Sequence, residues 1–113
     1  MRTKNAVSAL AALSQESRLA VFRLLVQAGP HGLAAGKISK KLAIPPSSLS
    51  FHMKELSHAG MVASRQEGRS IIYAANFATM SQLLAFLNEN CCGGNPCLPV
   101  SVTPCAAPIK EKS

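Results

Sequence analysis

One stretch of this chain decides its fold. It covers residues 37–75 and reads KISKKLAIPPSSLSFHMKELSHAGMVASRQEGRSIIYAA. Ile38 and Leu42 lie four positions apart, which favours a short helix with one apolar face. A second helix is predicted from Pro46 to about Ala59, on a stripe of Leu49, Met53 and Leu56. Two short helices joined by a three-residue turn are typical of a helix-turn-helix.

The apolar pattern changes from helical to alternating after this second helix. Residues 63–66 and 69–75 are predicted to form two strands around Glu67 and Gly68, because glycine readily adopts the dihedrals of a hairpin turn. A helix-turn-helix followed at once by a β-hairpin is a winged helix. We therefore predict a mainly α fold with one small β-hairpin.

Further helices are predicted on both sides of this stretch. Ser14 is placed to cap a helix that ends near Gly29 and whose apolar face holds Leu19, Phe22 and Val26. A last helix is predicted over residues 78–90. Residues 93–113 contain two glycines and four prolines, which exclude a regular helix or an interior strand. The chain thus divides into a winged-helix domain, residues 1–92, and a tail that we expect to be partly disordered.

An amphipathic first helix is predicted before Ser14, and this helix and the last one both carry apolar stripes. Their members are Val7, Leu10, Leu13, Met80, Leu83, Leu84 and Leu87. A 113-residue chain has few other elements to cover both stripes, so we expect a homodimer built from these two helices. Two-fold symmetry would set the recognition helices about 34 Å apart, one turn of DNA. The alternative is that both helices close the core of a monomer.

The charge balance points to a polyanionic partner. Lys and Arg number 12 against 5 acids, all of them Glu, which gives a net charge of +7 and a pI near 9.7. Nucleic acid is the simplest such partner for a small domain. Hydrophobic residues make up 48% of the chain, which excludes wholesale disorder, and no apolar run is long enough to cross a bilayer. The mildly apolar run of residues 6–13 is short and interrupted by Ser8, so an amphipathic first helix explains it better than a signal peptide, and we expect a cytoplasmic protein.

Candidate DNA contacts lie on the helix-turn-helix and on the hairpin. Small hydroxyls at a helix N-terminus can meet phosphate, an exposed Phe can touch a thymine methyl group, and hairpin arginines can reach a backbone or a minor groove. The predicted set is Lys37, Lys41, Ser47, Ser48, Ser50, Phe51, His52, Lys54, Arg65 and Arg69. The alternative is a solvated basic face that binds nothing in particular.

Three segments resemble the ArsR/SmtB family of metalloregulators. Residues 47–62 (SSLSFHMKELSHAGMV) resemble the recognition helix, residues 65–73 (RQEGRSIIY) the wing, and residues 14–19 (SQESRL) the opening of the second helix. The resemblance covers about residues 6–92. It implies a homodimer that sits on a palindromic operator and represses transcription until an inducer binds. Pro45 stands where the family often has a Ser or Thr cap, so the helix start can shift by a residue or two.

Four cysteines fall in the last quarter of the chain, three of them within seven residues. Cys91 and Cys92 lie where the last predicted helix ends. Neighbouring residues of a regular helix point about 100° apart, so these two sulfurs converge only if the backbone unwinds, which Gly93 and Gly94 permit. A turn at Asn95-Pro96 would then fold Cys97 back over the pair.

Three converging thiolates form a soft trigonal site, which suits As(III) and also Sb(III). Zn²⁺ prefers a fourth ligand and more often uses C-x₂-C spacing, which is absent from this sequence. Cys105 is the candidate for a fourth ligand, although Pro99 and Pro104 lie between it and the other three cysteines. The resemblance also implies a three-cysteine As(III) site, because some arsenic-responsive members of the family carry a cysteine pair and a third cysteine at the end of the last helix. Other members carry cysteines on the first helix of the motif, where residues 34–42 hold none.

The sequence therefore predicts a DNA-binding repressor that senses As(III) at Cys91, Cys92 and Cys97 and then releases its operator, derepressing a resistance operon. We expect no organic cofactor and no enzymatic activity. One alternative is a redox-sensing repressor that uses the same cysteines. A more distant alternative is a thiol enzyme, which the lack of a C-x-x-C motif and of a Gly-rich phosphate loop disfavours.

Overall fold

A computed structural model describes residues 1–94. The described elements, in chain order, are α1 (Thr3–Leu13), α2 (Glu16–Ala28), β1 (Leu33–Ala34), α3 (Ala35–Leu42), α4 (Pro46–His58), β2 (Val62–Glu67), β3 (Ser70–Ala75) and α5 (Phe77–Leu87), followed by a 3₁₀ turn at Cys91–Gly94. Helices α3 and α4 form the helix-turn-helix and β2 and β3 form the wing. The predicted winged helix-turn-helix is confirmed. Within residues 1–94, no helix is long and apolar enough to span a membrane.

The core lies where the helices meet the base of the wing. Its fully buried large side chains come from α2, α3, α4 and the segment before β2, and they are Val21, Leu25, Ile38, Met53, Leu56 and Met61. Helix α1 joins this core through a face of small residues, Ala6, Ala9 and Ala12. Small side chains let α1 pack closely on α2 and leave its opposite face to solvent.

The turn between α3 and α4 has the predicted length and position. Helix α3 ends at Ala43, which adopts a left-handed conformation with φ 53°. The hydroxyl of Ser39 donates to the carbonyl of Ile44 and fixes the turn. Pro46 begins α4, and Gly60, with φ 75°, follows its end. Both positions match the roles expected for proline at a helix start and glycine after a helix end.

The sheet has a third strand that the sequence did not predict. The strand order is β1-β3-β2, and β1 pairs antiparallel with β3 through Leu33–Tyr73 and Ala34–Ile72. Gly32 brings the chain into this pairing with φ 74°, and a Cβ there would lie 2.2 Å from the carbonyl oxygen of Tyr73. Only glycine fits so close to another backbone.

Helix α2 corrects two predictions. Its cap is Gln15, whose side chain accepts from the Arg18 amide, whereas Ser14 ends α1 and donates to the Ala11 carbonyl. Leu19 is 42% exposed and does not share the buried face. That face consists instead of Val21, Phe22 and Leu25.

The last helix is shorter than predicted. Helix α5 ends at Leu87 rather than at residue 90, and its N-cap is Asn76, whose side chain accepts from the Thr79 amide. Asn88 and Asn90 follow the helix, and Asn90 has a positive φ of 57°. Asparagine tolerates this conformation better than most residues, so the helix ends before the cysteines.

Candidate nucleic-acid interface and cysteine site

Helix α4 presents a polar face to solvent. Its buried stripe turns inward, so the opposite face is exposed and carries Ser47, Ser48, Ser50, Phe51 and Lys54. The Phe51 side chain is 58% exposed, and its ring meets the His52 ring edge-on with 6.0 Å between the ring centroids. Pro45 caps the helix without a side-chain hydrogen bond, and the first turn contains no acidic residue. The free amides and the helix dipole at this end favour an anion.

His52 lies at the edge of this face and points partly inward, which corrects its predicted place on the open surface. The ring is half-buried, and its Nδ1 atom is buried without a hydrogen-bond partner in the described part of the chain. Burial, with a smaller contribution from the Arg18 charge, lowers the pKa of His52 below its ordinary 6.5. Arg18 is itself fixed by α1, since its Nε donates to the Ala12 carbonyl over 2.9 Å. His52 therefore belongs to the contact between α2 and α4.

The two wing arginines have different surroundings. Arg65 Nε contacts the Glu67 carboxylate at 2.7 Å, and Arg65 Nη2 donates to the His31 carbonyl over 3.0 Å. Arg69 follows Gly68 in the hairpin turn, is exposed, and makes no hydrogen bond or ion pair within residues 1–94. Glu67 was predicted only as part of the hairpin turn, whereas it is the last residue of β2, and no role was predicted for His31. Alternation along β2 places residues 65 and 67 on one face and could have indicated the first contact. No sequence signal indicates the contact between Arg65 and the His31 carbonyl.

Helix α3 adds positive charge beside the wing. Lys37 and Lys41 are exposed on its outer side, while Ile38 is fully buried. A cleft of about 270 Å³ separates the start of α3 from the wing, and it is lined by Ala34, Ala35, Gly36, Arg69, Ser70 and Ile71. The predicted contacts other than His52 are thus exposed on α3, α4 and the wing.

The cysteine pair lies in an unwound segment after α5. Cys92 and Gly93 both have positive φ, 54° and 67°. This conformation brings Cys91 Sγ within 3.8 Å of Cys92 Sγ. Cys91 is half-buried with a free thiol, whereas Cys92 is exposed and disulfide-bonded. The backbone unwinds at Cys92 itself as well as at the glycine that follows.

The sulfur separation can be compared with what a bound ion requires. Two sulfurs that each lie about 2.3 Å from one tetrahedral ion are about 3.8 Å apart. The Cys91–Cys92 separation of 3.8 Å fits that value, so the reduced pair could share one thiophilic centre. Cys97 and Cys105 lie outside the described residues. Among residues 1–94, no group of three or more His, Cys, Asp or Glu side chains is placed to hold a metal ion.

The structure exposes some residues of the apolar stripes expected at a dimer interface and buries others. Val7, Leu10, Leu84 and Leu87 are 59%, 42%, 38% and 57% exposed. Leu13 and Met80 are half-buried and line an apolar groove of about 450 Å³ between α2 and α5. Leu83 is only 4% exposed and packs in the core of its own protomer, so it is not available to a partner.

Comparison with known proteins gives matches over most of the described chain. A helix-turn-helix domain family matches residues 13–65. The uncharacterized HTH-type transcriptional regulator YceK of Bacillus subtilis is 41% identical over 59 residues, which are 52% of this chain and 58% of that protein. The match therefore spans less than two thirds of YceK. The transcriptional activator HlyU of Vibrio cholerae is 28% identical over 90 residues, 80% of this chain and 81% of HlyU.

Solved structures give the same fold. An ArsR-like transcriptional regulator from Rhodococcus sp. RHA1 superposes with a TM-score of 0.67 and 27% identity, covering 76% of this chain and 78% of that one. Reduced HlyU from Vibrio cholerae superposes with a TM-score of 0.63 and 27% identity, covering 80% of this chain and 92% of that one.

Proposed function

Because this chain contains a helix-turn-helix domain and has the winged-helix fold of an ArsR-like transcriptional regulator, we propose that it is a transcriptional repressor that binds double-stranded operator DNA. The observation that carries the proposal is the continuous exposed surface of α3, α4 and the wing tip. This surface combines hydroxyls, an exposed Phe51 and unpaired cations with a free helix N-terminus. Phosphate contacts would position the protein, and α4 would read bases in the major groove.

The proposed repressor is a homodimer formed through α1 and α5. Val7 and Leu10 on α1, with Leu84 and Leu87 on α5, leave large apolar side chains in water in a single protomer. Burying them against a second copy would stabilise the dimer by the hydrophobic effect. The dimer would also place two α4 helices on successive turns of a palindromic site, about 34 Å apart.

The proposed inducer is As(III), with Sb(III) as a chemical relative. The reduced thiolates of Cys91, Cys92 and Cys97 would bind it. The approach of the first two sulfurs to 3.8 Å supports one shared thiophilic centre, and the set of three thiolates is what favours As(III). Such a centre forms three bonds to sulfur in a pyramid. Binding would restructure the segment after α5, which belongs to the proposed dimer interface. A coupling free energy of about 1–3 kcal/mol would lower operator affinity by roughly 5- to 150-fold.

One binding experiment tests DNA binding and inducer together. The reduced full chain first selects its preferred duplex from a random DNA library, and fluorescence anisotropy then follows binding to that duplex. Arsenite, Zn²⁺ and peroxide are titrated in turn. We expect near-stoichiometric arsenite to release the DNA while the other two leave it bound. A chain that selects no duplex would contradict DNA binding, and release by Zn²⁺ alone would contradict the metalloid site.

A second candidate is a repressor switched by oxidation of the same thiols. The observation that favours it is the disulfide at Cys92 beside the free thiol of Cys91. The similarity to HlyU, whose structure was determined in a reduced form, is consistent with it. In this case peroxide would release the DNA, a thiol reductant would restore binding, and arsenite would have no effect on the oxidised chain.

A further inference from the structure

The wing carries two arginines, Arg65 and Arg69, which differ in whether their guanidinium groups already make hydrogen bonds within the described residues. Arg65 is held by two contacts within the chain, to the Glu67 carboxylate at 2.7 Å and to the His31 carbonyl at 3.0 Å. Arg69 is exposed at the hairpin turn and has no such contact within the described residues. Both arginines were predicted from the sequence to contact DNA.

The Arg65 contacts join parts of the protein that are distant in sequence. Arg65 lies on β2 opposite Ile72 of β3, whereas His31 lies in the turn that leads from α2 to β1. Strand β3 separates β2 from β1 in the sheet. The guanidinium therefore connects the outer strand of the wing to the turn on the other side of the sheet, across 34 residues of sequence.

The charges of the pair also matter for DNA. Glu67 is the one acid between residues 62 and 75, the segment that forms the wing. The Arg65–Glu67 pair carries no net charge, so it contributes nothing to the counterions that bound DNA would release. If Arg65 moved to a phosphate, the Glu67 carboxylate would be left unpaired beside the DNA and would repel it.

We infer that Arg65 is a positioning residue that fixes the wing to the α2–β1 turn, and that Arg69 makes the phosphate contact of the wing. This inference rests on the proposed DNA-binding function. Arg65 acts on DNA only through the orientation of the hairpin, because its Nε–H and one Nη2–H are already committed. Lysine at this position would keep the charge but could not contact Glu67 and His31 in the same geometry.

The test compares the salt dependence of DNA binding for four proteins: the wild-type chain, Arg69→Ala, Arg65→Lys and the double variant Arg65→Ala/Glu67→Ala. The probe is the duplex that the wild-type chain selects from a random library, measured between about 50 and 200 mM salt. We expect Arg69→Ala to reduce the slope of log K against log salt by about 0.9, the value for one phosphate contact. The double variant and Arg65→Lys should keep the wild-type slope and bind roughly 2- to 5-fold more weakly at every salt concentration.

Amide hydrogen exchange provides a readout that does not depend on DNA. The double variant should lose protection in β2 and in the segment around His31, whereas Arg69→Ala should leave the exchange pattern of the wild-type chain unchanged. Unfolding by urea checks that all variants remain folded.

Two results would overturn the inference. One is a slope that falls by about 0.9 in the double variant, as for a direct phosphate contact. The other is unchanged protection around His31 when Arg65 and Glu67 are both removed. A wild-type chain that selects no duplex would instead contradict the proposed function, and the hydrogen-exchange comparison would still decide whether Arg65 fixes the wing.

Discussion

His52 shows how a single position on a helix face can be assigned wrongly. It was placed with the exposed residues of α4, but its ring is half-buried and its Nδ1 atom is buried without a hydrogen-bond partner in the described residues. The sequence held a signal for this, because position 52 lies three residues after Leu49 and four before Leu56, next to the buried stripe. The effect of the Arg18 charge on the pKa of His52 could not be predicted, since it depends on how α2 packs on α4.

The lowered pKa of His52 makes stability depend on pH in a defined direction. The neutral ring is favoured in the folded state, so the unfolded chain binds the proton more tightly. The stabilising contribution is complete above the unfolded pKa of 6.5 and is lost as pH falls from there towards the folded pKa. As the pH is lowered from about 7.5 to 5.5, the free energy of unfolding should decrease. The decrease should be well under the limit of about 1.4 kcal/mol per pH unit, because the ring is partly solvated.

Replacement of the histidine tests this dependence. His52→Gln should flatten the decrease in the free energy of unfolding, measured by urea denaturation at several pH values. His58→Gln is the matched control, because His58 is exposed on the same helix, and it should leave the dependence as in the wild-type chain. An identical pH profile for His52→Gln and the wild-type chain would contradict a role for His52.

The proposed inducer site gives a second prediction for single residues. Cys97→Ser should bind operator DNA within about 3-fold of the wild-type affinity but lose the 5- to 150-fold response to arsenite expected from about 1–3 kcal/mol of coupling. Cys105→Ser is the matched variant and should keep the response, because three thiolates suffice for As(III). Anisotropy titrations with arsenite measure both. A Cys97→Ser protein that still responds would exclude the three-thiolate site.

Among the elements, the helix-turn-helix and the wing followed from the sequence, and β1 did not. Periodicity located α4 from a stripe of three apolar residues and α3 from Ile38 and Leu42 four positions apart, and the change to alternation located the hairpin. Strand β1 consists of Leu33 and Ala34 alone, too few residues to show alternation. Its pairing depends on the proximity of β3, which is a property of the folded chain.

The end of α5 also could not be predicted from the sequence pattern. Leu87 continues the apolar stripe, and Asn88, Glu89 and Asn90 do not forbid another turn of helix. The structure ends the helix at Leu87 and places Asn90 at positive φ. The predicted convergence of Cys91 and Cys92 is nevertheless observed, at 3.8 Å between their sulfurs.

Gly32 controls the pairing of β1 with the wing, and its replacement tests that role. Gly32→Ala would place a methyl group 2.2 Å from the Tyr73 carbonyl oxygen in a residue with φ 74°. We expect a loss of about 2–4 kcal/mol in the free energy of unfolding. Gly36→Ala is the matched control in the first turn of α3, where an added Cβ meets nothing within 4 Å. The control should be neutral or more stable by up to about 1 kcal/mol.

At the scale of the whole molecule, the exposed apolar side chains of α1 and α5 decide between a dimer and a closed monomer. Leu83 packs inside its protomer, as the monomer alternative expected, but Val7, Leu10 and Leu87 remain in solvent. The structure of one protomer therefore leaves part of both stripes uncovered. This is the part on which the proposed dimer depends.

A charge at the centre of this exposed surface tests the dimer. Val7→Glu should raise the dimer dissociation constant by about 10- to 100-fold, because it buries a carboxylate in an apolar contact. Ser8→Glu is the matched control, since Ser8 is exposed on the same helix but outside the apolar stripe. Sedimentation velocity over a range of concentrations measures both. A wild-type chain that sediments as a monomer at micromolar concentration would contradict the proposed assembly.

The pairing of β1 with β3 limits how the molecule can transmit a signal. Strand β1 runs directly into α3, and β3 also contacts α2, so the wing and the helix-turn-helix form one body. In mechanical terms, the DNA-facing part of a protomer has few internal degrees of freedom. In the proposed dimer, binding at the cysteines beyond α5 would therefore act on the orientation of one protomer relative to the other. The distance between the two α4 helices of the proposed dimer would change, while the structure of the helix-turn-helix and wing within each protomer would stay constant.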